Sequence, residues 1–174
     1  GKRRKLYQIF TYLYKPSEKN TYADAEAVYD FLLENKKIPE NEIVIFGKSL
    51  GTGVAIELAM KKNNIRAIIL ASAFSSMLEI SKNIIPIIGH IAYFFIKNPY
   101  KSINKIKKIK IPILIFYAEK DDIVPPSDTI KLFKEANEPK KLVEIKGASH
   151  ETVFIADEVS YISEIDNFLN FHKQ

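Results

Sequence analysis

The sequence predicts an α/β fold, a parallel β-sheet with helices on both faces, from two observations. Short, continuously apolar runs alternate with longer amphipathic segments from Asn20 onward, and strands apolar on both faces belong to sheets that are covered on both sides. The first of those runs leads without a linker into a glycine-flanked turn and then a helix-forming segment, which is the order of a βα unit.

The elements follow in order. Thr21 and Asp24 form a capping-box pattern, with Asp in the Glu place, that opens an amphipathic helix to about Asn35; its apolar side holds Ala25, Val28, Phe31 and Leu32. Pro39-Glu40-Asn41 is a turn, and Ile43-Val44-Ile45-Phe46 is a strand expected to be buried on both faces. After the turn at Gly47 to Gly51, Thr52 to Lys62 is a helix and Ala67 to Ala71 a second buried strand. Met77 to about Tyr100 reads as irregular helix, and the three-residue spacing of Ile103, Ile106 and Ile109 as a short amphipathic helix. Ile111 to Tyr117 is a third strand, with Pro112 near its start, where a missing N–H is tolerated. Ser127 or Asp128 is a candidate cap for a helix running to about Asn137; Leu142 to Ile145 is a fourth strand and Val159 to Phe171 a closing helix. Leu6 to Tyr14 has the aromatic and aliphatic content of a further strand.

Composition bounds the function. The 174 residues suffice for one domain with its own core and are too few for two ordinary ones. A hydrophobic share of 47% against 27% charged is that of a globular chain. The net charge of +5 comes mostly from scattered lysines, and no basic motif interleaves with stacking aromatics, so nucleic acid is not expected as a partner. The runs Lys2-Arg3-Arg4-Lys5 and Lys105 to Lys110 are compatible with weak association with an anionic membrane surface. The absence of cysteine excludes disulfides, thiolate metal sites and cysteine nucleophiles. No apolar stretch follows the basic start as a secretory signal requires, so a cytoplasmic location is expected. The most apolar segment, Ile84 to Ile96, contains Pro86, Gly89 and His90 and falls short of the ~20 residues of a bilayer span; it is expected to form a helix pair or a pocket wall.

Three loops carry the chemistry. Gly47-Lys48-Ser49-Leu50-Gly51 matches G-x-S-x-G, in which a strand reverses sharply into a helix and presents a strained serine at the apex. Side chains at either flanking glycine are expected to collide with neighbouring backbone. A plain glycine-rich βα turn has the same letters, but here the buried strand leads in and a helix leads out. Asp121 and Asp122 follow the third strand, where open α/β sheets place their sites, although paired aspartates are also common turn residues. His150 follows the fourth strand. Of the other histidines, His90 is expected to be packed in the core and His172 lies in the C-terminal tail. The chain order Ser, Asp, His, each after a successive strand, is that of one hydrolase architecture and not of the chymotrypsin or subtilisin order.

From Asn20 to the end the chain resembles a single-domain serine hydrolase of the α/β-hydrolase superfamily, in the branch of small esterases, thioesterases and lysophospholipase-like enzymes. The stretches that carry the resemblance are Tyr22-Ala23-Asp24-Ala25, Gly47 to Ala55, Ala71-Ser72-Ala73-Phe74-Ser75-Ser76, Asp121-Asp122-Ile123-Val124-Pro125 and Gly147-Ala148-Ser149-His150. It implies that Asp121, the first residue of the Asp-x-aliphatic-Val-Pro element, is the acid. It also implies acyl transfer from a small ester or thioester through Ser49, with His150 as base, the Leu50 backbone N–H as oxyanion donor, and no metal or cofactor.

The sequence departs from that family at its start. The family's second oxyanion N–H is commonly marked by His-Gly after an earlier strand, whereas no histidine precedes His90 and no glycine lies between Gly1 and Gly47. Losing one oxyanion donor costs about two to three orders of magnitude in turnover. Residues 20–174 therefore read as the C-terminal part of an α/β-hydrolase domain, preceded by an atypical segment at 1–19. The elbow strand becomes a sheet edge, to be covered by Leu6 to Tyr14 or left open to association. A serine hydrolase is the leading expectation; a truncated, non-catalytic remnant or an interaction module using that edge is the alternative.

Overall fold

A computed structural model describes residues 17–84 and 97–172. The expectations placed on Lys2 to Lys5, on Leu6 to Tyr14, on His90 and on the apolar wall within Ile84 to Ile96 fall outside the described residues.

Among the described residues four parallel strands, β1 (Val44–Lys48), β2 (Ala67–Ala71), β3 (Ile113–Ala118) and β4 (Lys140–Ile145), form one sheet in sequence order. The described α-helices are α1 (Glu18–Glu34), α2 (Leu50–Lys61), α3 (Met77–Ile84), α4 (Ser102–Ile106), α5 (Pro126–Glu135) and α6 (Glu158–Phe171). Period-two alternation divides the central strands between two cores. Ile68, Leu70, Ile113 and Ile115 pack with Tyr29, Ala55, Ile56, Ile106 and Leu132 from α1, α2, α4 and α5. Ile69, Ala71, Leu114 and Phe116 face the other way, onto Tyr161 and Phe168 of α6. Full burial of one such side chain contributes roughly 1.5–3 kcal/mol, so both layers are needed to hold the central strands in place.

Several local expectations are corrected. Helix α1 begins at Glu18 with Ser17 as its N-cap, the Ser17 hydroxyl accepting from the Asn20 N–H. Thr21 lies inside the helix and donates its hydroxyl to the Glu18 carbonyl. The first turn is held from a distance: the Glu18 N–H donates to Asn98, and the Glu18 carboxylate accepts from the Tyr100 N–H and the Tyr22 hydroxyl. Strand β1 extends through Gly47 and Lys48, because the ladder to Leu70 and Ala71 continues. It is not buried on both faces: among the described residues it lies at the end of the sheet, and Phe46 is 50% exposed. Asn98 to Tyr100 is not helical, so the helix from Met77 does not reach Tyr100. Helix α5 starts at Pro126 with Pro125 at its N-cap, and neither Ser127 nor Asp128 caps it. The Asp128 carboxylate instead accepts from the Ser75 N–H at 2.8 Å and the Ser75 hydroxyl at 2.5 Å. That bond ties the start of α5 to the loop after β2.

Helix α2 is locked from outside as well. Lys105 of α4 pairs with Glu57 at 2.7 Å and with Glu18 at 3.5 Å, and its ammonium lies over the Tyr22 ring. Burial pushes the Glu57 carboxyl up, but the hydrogen bonds and charges of Lys105 and Lys61 outweigh it and hold it below its usual value. One half-buried knot therefore joins α1, α2 and α4, and α2 is the helix that leaves the Ser49 turn.

Candidate active site

Ser49 sits between β1 and α2 with φ 51° and ψ −122°, in the positive-φ region that L-residues avoid. Three bonds hold it there: its N–H donates to the Ala71 carbonyl at 3.0 Å, and its carbonyl accepts from the Thr52 N–H at 2.9 Å and the Thr52 hydroxyl at 2.6 Å. Such strain costs of order 1–3 kcal/mol and persists only where its surroundings enforce it.

The two glycines of the turn differ. A Cβ on Gly47 meets the Gly51 carbonyl oxygen at 2.6 Å and the Ala55 Cβ at 2.9 Å, so only glycine fits between strand and helix. A Cβ on Gly51 meets nothing within 4 Å, which overturns the expected collision there. The second close approach is instead at Gly53, where a Cβ falls 2.8 Å from Tyr100 and 3.3 Å from Phe74. Tyr100 lies 47 positions along the chain, and a five-residue pattern holds no trace of it. Leu50 is the first residue of α2, and its N–H, like those of any first helical turn, has no intrahelical acceptor.

The structure brings the three loops together. His150 Nε2 is 3.0 Å from Ser49 Oγ, and His150 Nδ1 is 2.9 Å from Asp121 Oδ2 and 3.0 Å from Oδ1. Asp121 is the carboxylate against the ring, while Asp122 is exposed. Both His150, 5% exposed, and Asp121, 6% exposed, are shielded from water. An ionised carboxylate only accepts, so Nδ1–H donates to Asp121 and leaves Nε2 to accept from the serine hydroxyl. Burial pushes the Asp121 carboxyl up; hydrogen bonds from His150 and the Val124 N–H, with the charge of His150, outweigh it and hold it below the usual carboxylate range.

The acid and base loops are also joined to each other. The Lys120 N–H donates to the Ala148 carbonyl at 2.8 Å, and the Gly147 N–H donates to Glu119 at 2.7 Å. Thr152 closes the His150 turn, its hydroxyl accepting from the Ser149 N–H at 2.8 Å. Phe74, Met77, Ile80, Tyr100 and Val124 form an apolar cluster beside the Asp121 loop. His172 packs on Phe168 and Phe171 at the end of α6.

A parallel sheet in this order, with a strained serine after β1 and helices on both faces, defines an α/β-hydrolase. The sequence model of the prolyl oligopeptidase family matches residues 6–174, and the chain belongs to that family. It is similar to the protein bem46 of Schizosaccharomyces pombe, 34% identical over 72% of this chain and 43% of that protein. It is also similar to human alpha/beta hydrolase domain-containing protein 17B, 29% identical over 93% of this chain and 56% of that one. Among solved structures an esterase of Pyrococcus furiosus matches with a TM-score of 0.75 over 92% of this chain and 65% of that chain, at 16% identity. The chain thus spans about half the length of the curated relatives it matches.

Proposed function

We propose that the chain carries the acyl-transfer centre of a serine hydrolase that cleaves an ester or thioester. The observation behind this reading is the relay from Asp121 through both nitrogens of His150 to the Ser49 hydroxyl. Ser49 Oγ attacks the acyl carbonyl carbon as His150 Nε2 takes the hydroxyl proton. The tetrahedral intermediate places its negative oxygen toward the Leu50 N–H, at the positive end of α2. As it collapses, the bond to the leaving oxygen or sulfur breaks, and His150 returns the proton to that atom. Water then repeats the sequence on the acyl-enzyme and frees the acid, with Asp121 holding the imidazole tautomer throughout.

The family's name refers to peptide cleavage, and the same relay suits an amide carbonyl. The ester or thioester reading is supported by leaving-group chemistry: with the Leu50 N–H as the proposed oxyanion donor, substrates that expel an alkoxide or thiolate demand less of the site than those that expel an amine. The esterase fold of the Pyrococcus neighbour agrees with it.

A fluorophosphonate probe tests the nucleophile. Ser49 is expected to be labelled, and Ser49→Ala to abolish both labelling and hydrolysis of short p-nitrophenyl esters while the melting temperature changes little. Prolyl p-nitroanilide cleavage exceeding ester cleavage would assign the site to amides. Absence of labelling in a folded sample would sink the reading.

Among the described residues no strand pairs with the outer edge of β1, which favours a second reading, an interaction module that pairs through that edge. Phe46 is half exposed, and an apolar groove of about 280 Å³ runs beside β1, lined by Ala25, Val28, Leu32, Ile43 and Ile45. Unpaired strand edges flanked by apolar surface invite another strand.

A further inference from the structure

We infer that Asp128 is a positioning residue of the Ser49 centre, its two carboxylate oxygens gripping Ser75 and so fastening the Asp121 loop to the strand end that also holds the nucleophile. Its consequence for catalysis rests on the hydrolase reading. Asp128 lies in the first turn of α5, where a carboxylate suits the positive end of the helix. It also reaches out of that helix. Oδ2 accepts from the Ser75 N–H at 2.8 Å, and Oδ1 from the Ser75 hydroxyl at 2.5 Å, the length of a charge-assisted bond. Ser75 is 1% exposed, so water has little access to the pair. Thr129 adds a third bond beside it, its buried hydroxyl donating to the Ala73 carbonyl at 2.7 Å.

What these bonds join decides their role. The acid loop runs from the end of β3 to the start of α5, with Asp121 near its beginning. That near end is bound to the His150 loop, the Lys120 N–H donating to the Ala148 carbonyl and the Gly147 N–H to Glu119. Asp121 folds back on its own loop, Oδ1 accepting from the Ile123 N–H at 3.1 Å and the Val124 N–H at 2.7 Å. Asp128 and Thr129 tie the far end, and both reach the segment Ala73 to Ser75 that follows β2. Ser49 is held from the same place, since its N–H donates to the Ala71 carbonyl at the end of β2. Nucleophile and acid thus share one mount, residues 71–75, and Val124 of the acid loop packs with Phe74 of that mount. A loop fastened at one end can tilt, and a displacement of about 1 Å at a catalytic group costs on the order of a hundredfold in rate. Fastened at both ends, Asp121 keeps the His150 ring where Nε2 lies 3.0 Å from Ser49 Oγ.

The test compares Asp128→Ala with Asp128→Asn in the full chain. Alanine removes both bonds to Ser75 and leaves the Thr129 bond. Asparagine keeps their geometry, its amide oxygen accepting from the Ser75 N–H and its amide nitrogen donating to the hydroxyl. Fluorophosphonate labelling of Ser49 at pH 7 is expected to slow about ten- to a hundredfold in Asp128→Ala and to stay within about threefold of the parent in Asp128→Asn. The kcat for a short p-nitrophenyl ester should fall with the labelling rate while KM changes less than about twofold. The His150 Nδ1 proton, held between ring and carboxylate, gives a downfield NMR line. That line is expected to broaden in Asp128→Ala and to return in Asp128→Asn, which a general loss of stability does not produce. Parental labelling in Asp128→Ala overturns the proposal and leaves the hydrolase reading standing; an Asp128→Asn variant as slow as alanine overturns it too. If the parent itself is not labelled, the Nδ1 line decides. Its loss in alanine and return in asparagine keep Asp128 as the positioning residue and defeat the hydrolase reading, whereas an unmoved line defeats both. Should Asp128→Ala fail to fold, Ser75→Ala replaces it, removing the 2.5 Å bond and leaving the 2.8 Å one. Labelling slowed there by about threefold or more supports the role of Asp128, and parental labelling overturns it.

Discussion

Burial raises the Asp121 pKa, yet the His150 ring and the Val124 N–H, donors from two loops, bring it below the usual carboxylate value. That sign fixes how acid acts on this protein. A carboxyl lowered on folding binds a proton less readily in the native state than in the unfolded one, where its pKa is about 3.9. Its stabilising contribution is therefore complete above about pH 4 and is lost as the pH falls through the lowered native value. Asp121→Asn is expected to be less stable than the parent by about 1–3 kcal/mol at pH 7. The gap should narrow in urea melts at pH 3; a gap that widens on acidification would show the sign to be wrong. At the same scale the letters of the sequence singled out Ser49, Asp121 and His150.

The turn from β1 to α2 separates glycines that share a motif but not a role. Gly47→Ala drives a Cβ into the Gly51 carbonyl at 2.6 Å and into Ala55, and neither backbone nor a buried alanine can move aside. It is expected to destabilise the protein by more than about 2 kcal/mol, or to prevent its folding. Gly51→Ala points into open space at the start of a helix, and is expected to be neutral or to stabilise by up to about 1 kcal/mol. Thermal melts decide the pair; equal losses at both positions would contradict the steric account. The elements themselves were legible because each carries its own periodicity. Their ends were less so, since distant partners set them: Asn98 and Tyr100 hold the first turn of α1, and Asp128 is drawn away from α5 to Ser75.

At the scale of the molecule, β1 leads into Ser49 and, among the described residues, also ends the sheet. In the purified chain, the second reading makes another copy the available partner for this edge. Sedimentation velocity is expected to show concentration-dependent association, and Phe46→Lys to shift it toward monomer, since a charge on an edge strand opposes pairing. A parent that stays monomeric up to the highest concentration tested would remove the interaction reading while leaving the hydrolase reading untouched. Among the described residues no helix is long and apolar enough to cross a membrane.

The sequence by itself determined the parallel α/β order, the glycine-bounded turn at Ser49 and the placing of Asp121 and His150 on successive loops. These are local matters: apolar runs mark buried strands, and a reversal without room for a side chain demands glycine at Gly47. Only the tertiary structure decided that His150 Nε2 meets Ser49 across 101 positions and that Gly53 rather than Gly51 is the second tight contact. It also decided that Phe46 stands half exposed on an edge that its apolar composition had marked for burial. Each of these depends on which surfaces pack together, and hydrogen bonds and close contacts between distant residues leave no periodic trace in the chain.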